Sequence, residues 1–197
     1  MSATTEQPRT DIEERRRTPG EEGIWVFIFG DMIMFAVLFI TFLYYRSKNP
    51  RLFADAQGEL NQNFGATNTV VLLASSLFLV LAVRAVRMRS AWAPPLVAAA
   101  LVCGLIFSVL KIVEYVSKVH HGITPATNNF FTFYYVMTGL HWFHLIIGMA
   151  VLSALLVLAR RPKLSASQYA FFEGGACFWH MVDLLWIVLF PLLYLVR

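Results

Sequence analysis

Five long apolar runs, separated by short polar connectors, restrict what this chain can fold into. About 20 apolar residues in a helix cross the roughly 30 Å hydrocarbon core of a bilayer, and each run reaches that length. With 58% hydrophobic and 14% charged residues, the composition is far from that of a soluble domain. The sequence therefore predicts an all-α, polytopic membrane helical bundle with five transmembrane helices, at Ile24–Tyr45, Ala66–Val86, Pro95–Val116, Phe131–Ala159 and Phe171–Val196.

The charged residues lie mostly between these runs and predict the orientation. Residues 1–22 are polar and form a predicted flexible cytoplasmic tail, ahead of one transmembrane domain at 23–197. Cytoplasmic segments carry an excess of Lys and Arg, so the side with more of them is predicted to be cytoplasmic, with the N-terminus. That side holds Arg9, Arg15, Arg16, Arg17, Arg84, Arg87, Arg89, Arg160, Arg161 and Lys163, against Arg46, Lys48, Arg51, Lys118 and Arg197 on the other. Because topology explains the net charge of +4, nucleic-acid binding is not predicted.

The last apolar run carries three ionisable residues on one helical face. Glu173, His180 and Asp183 are spaced so that they form a single stripe at 3.6 residues per turn. Each would cost a few kcal/mol facing lipid, so we expect the stripe to face protein. Pro191, further along the same run, is predicted to kink or weaken the helix.

Two histidines of the fourth run lie at a similar depth. His141 and His144 are three residues apart, hence neighbours on one face near the middle of the bilayer. Imidazoles on facing helices could bind haem, or the polar residues could form a hydrogen-bonded network that fixes helix register. The predicted network joins the stripe to this run and to the third, and comprises Glu114, His141, His144, Glu173, His180 and Asp183.

Two further polar features lie at membrane depth. Asp31 is about seven residues, or roughly 10 Å, into the first helix, which makes it a candidate protonatable site or a packing hydrogen bond. In the third run, Lys111, Glu114 and Lys118 have the spacing of a salt-bridge ladder. No nucleophile elbow, phosphate loop, dinucleotide fingerprint or paired Glu-x-x-His motif is present, so no catalytic or metal-binding residue is predicted.

The order of these motifs resembles subunit III of the haem-copper cytochrome c oxidases, over nearly all of the chain beyond its tail. The resemblance is carried by WVFIFGDMIMFAVLF in the first run, by TGLHWFHLIIG in the fourth, and by FWHMVDLLWIVLFPLLYL in the fifth. Some members have seven helices, and this chain is similar to the short five-helix form. Its length and its ending look most like the members associated with bacterial nitric-oxide reductases.

The resemblance implies a non-catalytic subunit in the bacterial inner membrane. Subunit III of that family binds no haem or copper of its own and packs against the catalytic subunit I. It also binds phospholipids and supports assembly, stability and proton uptake in aerobic electron transport. At the position of Asp31 the family usually has a glutamate. The haem and the copper or iron are therefore expected in the partner subunit, which is subunit I of an oxidase or the large subunit of a nitric-oxide reductase.

Two other classes of function stay open at this stage. A membrane cytochrome would bind haem through the histidines of the fourth and fifth runs. A proton-conducting transporter would use Asp31 and those histidines as a relay, although the chain lacks the inverted repeats typical of transporters. The haem-copper subunit is the predicted function.

Overall fold

The computed structural model describes residues 22–196, so the predicted tail lies outside this range except for its last residue. Six α-helices follow one another in this range, with no strand between them, and a short π-helical turn follows the last. They are α1 (Glu22–Lys48), α2 (Pro50–Gly58), α3 (Gln62–Arg87), α4 (Ala93–His120), α5 (Asn129–Ala159) and α6 (Ala166–Phe190), followed by the turn Pro191–Leu195. All but α2 are long and apolar enough to span a membrane, which confirms the predicted fold class.

Most helices extend beyond the predicted runs because polar caps begin them earlier. The fifth spanning helix begins at Ala166 and not at Phe171, since Ser165 and Gln168 form a reciprocal capping box there. Asn128 likewise caps α5 through the backbone N–H of Phe131. A search for apolar residues overlooks these first turns, because they are polar and lie at the membrane surface.

The short helix α2 was not predicted. Its segment reads as a polar connector, but Pro50 stands in its first turn, a position that favours helix initiation. Phe53, Ala56 and Gln57 recur at helical spacing and are buried against the bundle. The connector is therefore an amphipathic helix that covers the end of the bundle opposite the N-terminus.

Helix α6 is the most buried of the five spanning helices and packs against α1, α3 and α5. Trp179 of α6 is fully buried, and its indole N–H donates to the Ser75 hydroxyl of α3 at 3.1 Å. Ser75 in turn donates to the Ala100 carbonyl of α4 at 2.9 Å. Gly104 and Gly148 leave room for the indole ring, since a Cβ on either would lie under 3 Å from it. One tryptophan therefore joins four helices.

The C-terminal end of α6 changes its winding where the sequence predicts a kink. The α-helix ends at Phe190, and Pro191 begins the π-helical turn. The last carbonyls of a helix have no backbone N–H further along the chain to bond them, so they need other donors. The Gln57 side-chain amide donates to the carbonyls of Leu192 and Leu193, both at 3.2 Å. Helix α2 therefore holds the C-terminal turn in place.

Candidate functional site

The seven polar residues singled out in the sequence lie in five separate contacts. The structure brings Asp31 together with His144, and it gives His141 and Glu114 different partners on neighbouring helices. His180 and Asp183 lie beside one serine, whereas Glu173 pairs with Arg87 at the C-terminal end of α3. The structure does not join these residues in one continuous hydrogen-bonded network.

Asp31 of α1 and His144 of α5 form a buried pair near the middle of the bundle. The carboxylate Oδ2 lies 3.3 Å from the imidazole Nε2, and the side chains are 14% and 6% exposed. His144 Nδ1 lies 2.8 Å from the Leu140 carbonyl oxygen, and a carbonyl only accepts, so Nδ1 carries a proton. Nε2 and Oδ2 are within ion-pair distance, but Oδ2 makes no geometrically good hydrogen bond. The pair can hold one proton at Asp31 or at His144.

His141 lies one turn before His144 but faces α6. Its Nε2 lies 3.1 Å from the Val182 carbonyl oxygen, so this nitrogen is the donor. The ring packs between Phe107 and Trp186, with centroids 5.6 and 5.2 Å away. Its Nδ1 is buried with no hydrogen-bond partner. His141 therefore joins α5 to the backbone of α6.

His180 and Asp183 of α6 share a serine of α3. The Ser76 hydroxyl lies 2.6 Å from His180 Nδ1, and the same hydroxyl interacts weakly with the Asp183 carboxylate. Asp183 is 3% exposed, and neither of its oxygens makes a geometrically good hydrogen bond. The stripe therefore faces protein at Asp183, as predicted. Ile187, one turn beyond Asp183 on the same helix face, is 44% exposed.

Glu114 belongs to a buried cluster near the C-terminal end of α4. Lys111 Nζ donates to Glu114 Oε2 at 2.9 Å, and the Tyr194 hydroxyl donates to Glu114 Oε1 at 2.6 Å. Lys111 is 1% exposed and also donates to the Tyr134 hydroxyl at 3.2 Å. The predicted ladder is confirmed for this first rung only, because Lys118 donates instead to the Glu59 carbonyl.

Glu173 lies apart from the other polar residues. Its Oε1 pairs with the Arg87 guanidinium at 2.5 Å, and Arg87 also donates to the Tyr169 hydroxyl. The arginine side chain is 60% exposed, so this is a surface ion pair joining α3 and α6.

The described residues offer no ready metal centre. In residues 22–196 no group of three or more His, Cys, Asp or Glu side chains lies close enough to hold a metal ion. His141, His144 and His180 each have a ring nitrogen bonded to a different protein partner. The chemistry that this arrangement allows is helix pairing and, at Asp31–His144, holding a proton.

Comparison with known proteins identifies the family. A family model described as cytochrome c oxidase subunit III matches residues 18–196. The chain belongs to the cytochrome c oxidase subunit III family. Cytochrome c oxidase subunit 3 of Synechocystis is 30% identical over 175 residues, which cover 88% of this chain and 74% of the relative. Cytochrome bo(3) ubiquinol oxidase subunit 3 of Buchnera aphidicola is 27% identical, and the match covers 84% of that relative. Quinol oxidase subunit 3 of Bacillus subtilis is also 27% identical, and the match covers 85% of it.

Membership of the subunit III family confirms the predicted function at this level. The chain is a multi-pass membrane protein and a non-catalytic subunit III of a haem-copper oxidase. The buried polar contacts described above are therefore those of a supporting subunit that associates with a catalytic subunit I.

Several residues that organise the site were not predicted from the sequence. Ser76 joins the His180 and Asp183 contacts, and Tyr134 and Tyr194 surround the Lys111–Glu114 pair. A serine or tyrosine inside an apolar run carries no distinctive spacing. The two tyrosines could have been identified only by knowing that they face the buried Lys111 on a neighbouring helix.

Proposed function

We propose that this chain is the subunit III of a bacterial oxidase in the inner membrane, with its N-terminus in the cytoplasm. Its partner would be the catalytic subunit I, and its role would be to support assembly, stability and proton uptake in aerobic electron transport. The observation that carries this proposal is the family match over residues 18–196, together with five spanning helices. The excess of basic residues on the N-terminal side supports the orientation.

The redox centres are proposed to belong to the partner, with haem and copper or iron held there and none by this chain. The three intramembrane imidazoles bond through one ring nitrogen each to different protein partners, which supports this proposal. Large apolar side chains on the outside of the spanning helices, such as Val26 and Ile40 at 75% and 66% exposed, would be covered by phospholipid and by the partner.

The contribution to proton uptake is proposed to rest on the Asp31–His144 pair. A carboxyl and an imidazole 3.3 Å apart need only a small side-chain rotation to form a hydrogen bond and pass a proton between them. The Asp31 side chain, 14% exposed, is the more accessible of the two. A proton could therefore enter at Asp31, be held at His144 Nε2, and leave by the same carboxylate.

The family does not by itself identify the electron donor of the oxidase or the catalytic subunit that this chain joins. Relatives named for cytochrome c oxidase and for quinol oxidase match this chain at similar identity. We favour an oxygen reductase because these names all denote oxidases. The nitric-oxide-reductase-associated form is the second candidate.

Deletion of the chain from its native bacterium, followed by complementation, tests these proposals. In membranes without the chain, oxidase activity is expected to start near its normal rate and then to decay faster during turnover. Nitric-oxide consumption should be unchanged. Loss of nitric-oxide consumption with normal oxygen uptake would instead assign the chain to a nitric-oxide reductase. Unchanged rates and lifetimes for both activities would contradict the supporting role.

A further inference from the structure

A buried acid without a counter-charge lies in the membrane-spanning part of α6. Asp183 is 3% exposed, and neither of its carboxylate oxygens makes a geometrically good hydrogen bond. It forms no ion pair with a Lys, Arg or His side chain in residues 22–196. A carboxylate charge at such a position loses its hydration and gains no opposite charge in return. A negative charge is therefore disfavoured here unless a proton neutralises it.

Ser76 of α3 links this carboxyl group to an imidazole. Its hydroxyl lies 2.6 Å from His180 Nδ1. The same hydroxyl interacts weakly with Asp183, whose carboxyl group needs only a small rotation to complete a hydrogen bond with it. A serine hydroxyl can accept one hydrogen bond while it donates another. Ser76 can therefore accept a proton on one side and release its own on the other.

The imidazole opens on the outside of the bundle. His180 is half-buried, and its Nε2 makes no hydrogen bond within the described part of the chain. This nitrogen is not enclosed by protein, unlike Nδ1 of His141. Leu184, one turn further along the same face of α6, is 47% exposed. His180 Nε2 can therefore exchange a proton with a group outside the chain, which the enclosed Asp183 carboxyl group cannot do directly.

The other titratable groups around Asp183 offer no competing link. The Cys103 thiol of α4 interacts with it electrostatically. His141 of α5 bonds to the backbone of α6, and Asp31 of α1 is paired with an imidazole of α5. Among residues 22–196, Ser76 thus provides the connection from this carboxyl group to a second proton acceptor.

We propose that Asp183, Ser76 and His180 form a proton relay, in which Asp183 holds the proton and His180 Nε2 is the opening. In the loaded state the Asp183 carboxyl group donates to Ser76, and Ser76 donates to His180 Nδ1. Transfer moves the carboxyl proton to the Ser76 oxygen and the Ser76 proton to Nδ1, which leaves a carboxylate and an imidazolium. The imidazolium then releases its Nε2 proton to water or to a basic side chain of a neighbouring subunit. The same steps in reverse reload Asp183.

This relay is separate from the Asp31–His144 pair. It joins α3 to α6, whereas that pair joins α1 to α5. All three groups of the relay belong to this chain, so the proposal does not depend on the identity of the catalytic partner.

Infrared spectroscopy of the full chain, purified in mild detergent with its co-purifying subunits, tests the relay. A protonated carboxyl group has a C=O stretching band that a carboxylate lacks, and deuteration moves this band to lower frequency. The wild-type spectrum at neutral pH is expected to contain such a band that Asp183→Asn removes. Asp183→Glu, which keeps a carboxyl group in a changed position, should move the band and gives a second assignment. The rate of the shift after transfer into D2O reports proton exchange at Asp183.

Variants of Ser76 separate the relay from packing. Ser76→Ala should keep the band but slow its deuteration by about a hundredfold, the lower end of what a positioned proton donor or acceptor contributes. Ser76→Thr retains the hydroxyl and should exchange at nearly the wild-type rate. His180→Gln should slow exchange as Ser76→Ala does, and the double variant should be no slower than the slower single variant. Ser153→Ala is the matched control, because Ser153 is an exposed serine of α5 that bonds to its own helix.

Two results would overturn the proposal. One is a spectrum without any carboxyl band that changes in Asp183→Asn or Asp183→Glu, since Asp183 would then hold no proton. The other is a deuteration rate in Ser76→Ala that equals the rate in Ser153→Ala, since exchange would then bypass the hydroxyl.

Discussion

The Asp31 carboxylate of α1 lies 3.3 Å from the His144 imidazole of α5, although the two residues are 113 positions apart in the chain. The imidazole is oriented by its bond to the Leu140 carbonyl, which leaves Nε2 pointing at the carboxylate. Phe35, fully buried, packs its ring edge against the same imidazole at 5.6 Å. The orientation of the imidazole is thus set by one backbone hydrogen bond, to Leu140, and by packing against Phe35.

The first prediction concerns this pair as a unit. Asp31→Asn and His144→Gln should each slow proton uptake by the assembled oxidase, because either change removes one of the two sites for the proton. The double variant should be no slower than the worse single variant. In unfolding experiments the coupling between the two sites should be about 1 kcal/mol, the scale of polar contacts between membrane helices.

Asp55→Asn serves as the control for this pair, since Asp55 is an exposed carboxylate of α2. It should leave uptake and stability unchanged. Additive losses of uptake rate and of stability in the Asp31→Asn/His144→Gln double variant would show that the two residues act independently, contrary to this account.

Part of this arrangement was predictable from the sequence, for physical reasons. The five spanning helices follow from apolar length alone, and the Lys111–Glu114 pair follows from its i, i+3 spacing. The pairing of Asp31 with His144 was not predicted, because it depends on which faces of α1 and α5 pack together. Periodicity gives the face of one helix but not the rotation of its neighbour.

The predicted polar network shows the same limit. His141 and His144 are three residues apart, so their side chains point about 60° apart around the helix axis. This difference is enough to direct His141 toward α6 and His144 toward α1. Glu173 was grouped with Asp183 by its spacing on α6, but it lies at the hydrated end of the helix. Counting residues along each helix predicts that these side chains lie at a similar depth in the membrane. It does not predict how far apart they lie across the bundle.

The second prediction concerns the buried Lys111–Glu114 pair. Lys111→Met should lower the free energy of unfolding by about 3–5 kcal/mol, because it leaves the Glu114 carboxylate buried without its counter-charge. Lys111→Met/Glu114→Leu should be less destabilised than Lys111→Met alone, since no uncompensated charge remains. Chemical unfolding of the purified protein in detergent measures both. Equal or greater destabilisation of the double variant would contradict the ion-pair account.

The third prediction concerns the space that glycine leaves for Trp179. Gly148→Ala places a Cβ 2.7 Å from the indole ring, and the ring is enclosed by four helices. The substitution should therefore destabilise the protein by about 1–3 kcal/mol, the usual cost of overpacking. Gly139→Ala, on the same helix, meets nothing closer than 3.9 Å and should be neutral or stabilising. Thermal unfolding compares the two, and similar melting temperatures would count against the tight packing at Trp179.

The fourth prediction concerns the C-terminal turn and its link to α2. Gln57→Ala removes the amide that donates to the Leu192 and Leu193 carbonyls. Amide hydrogen exchange in residues 191–196 should become faster, while exchange in the rest of α6 stays unchanged. Asp55→Asn on the same short helix is the control. If exchange in the turn were equal in both variants, the holding role of Gln57 would be wrong.

The central claim is that this chain is subunit III of a haem-copper oxidase. The most direct measurement is the reduced-minus-oxidised visible spectrum of the complex that co-purifies with the tagged chain in mild detergent. Haem is expected in stoichiometric amounts, all of it carried by a co-purifying catalytic subunit and none by this chain once separated. Purification of the chain without any haem protein, or with haem that remains on the isolated chain, would contradict it.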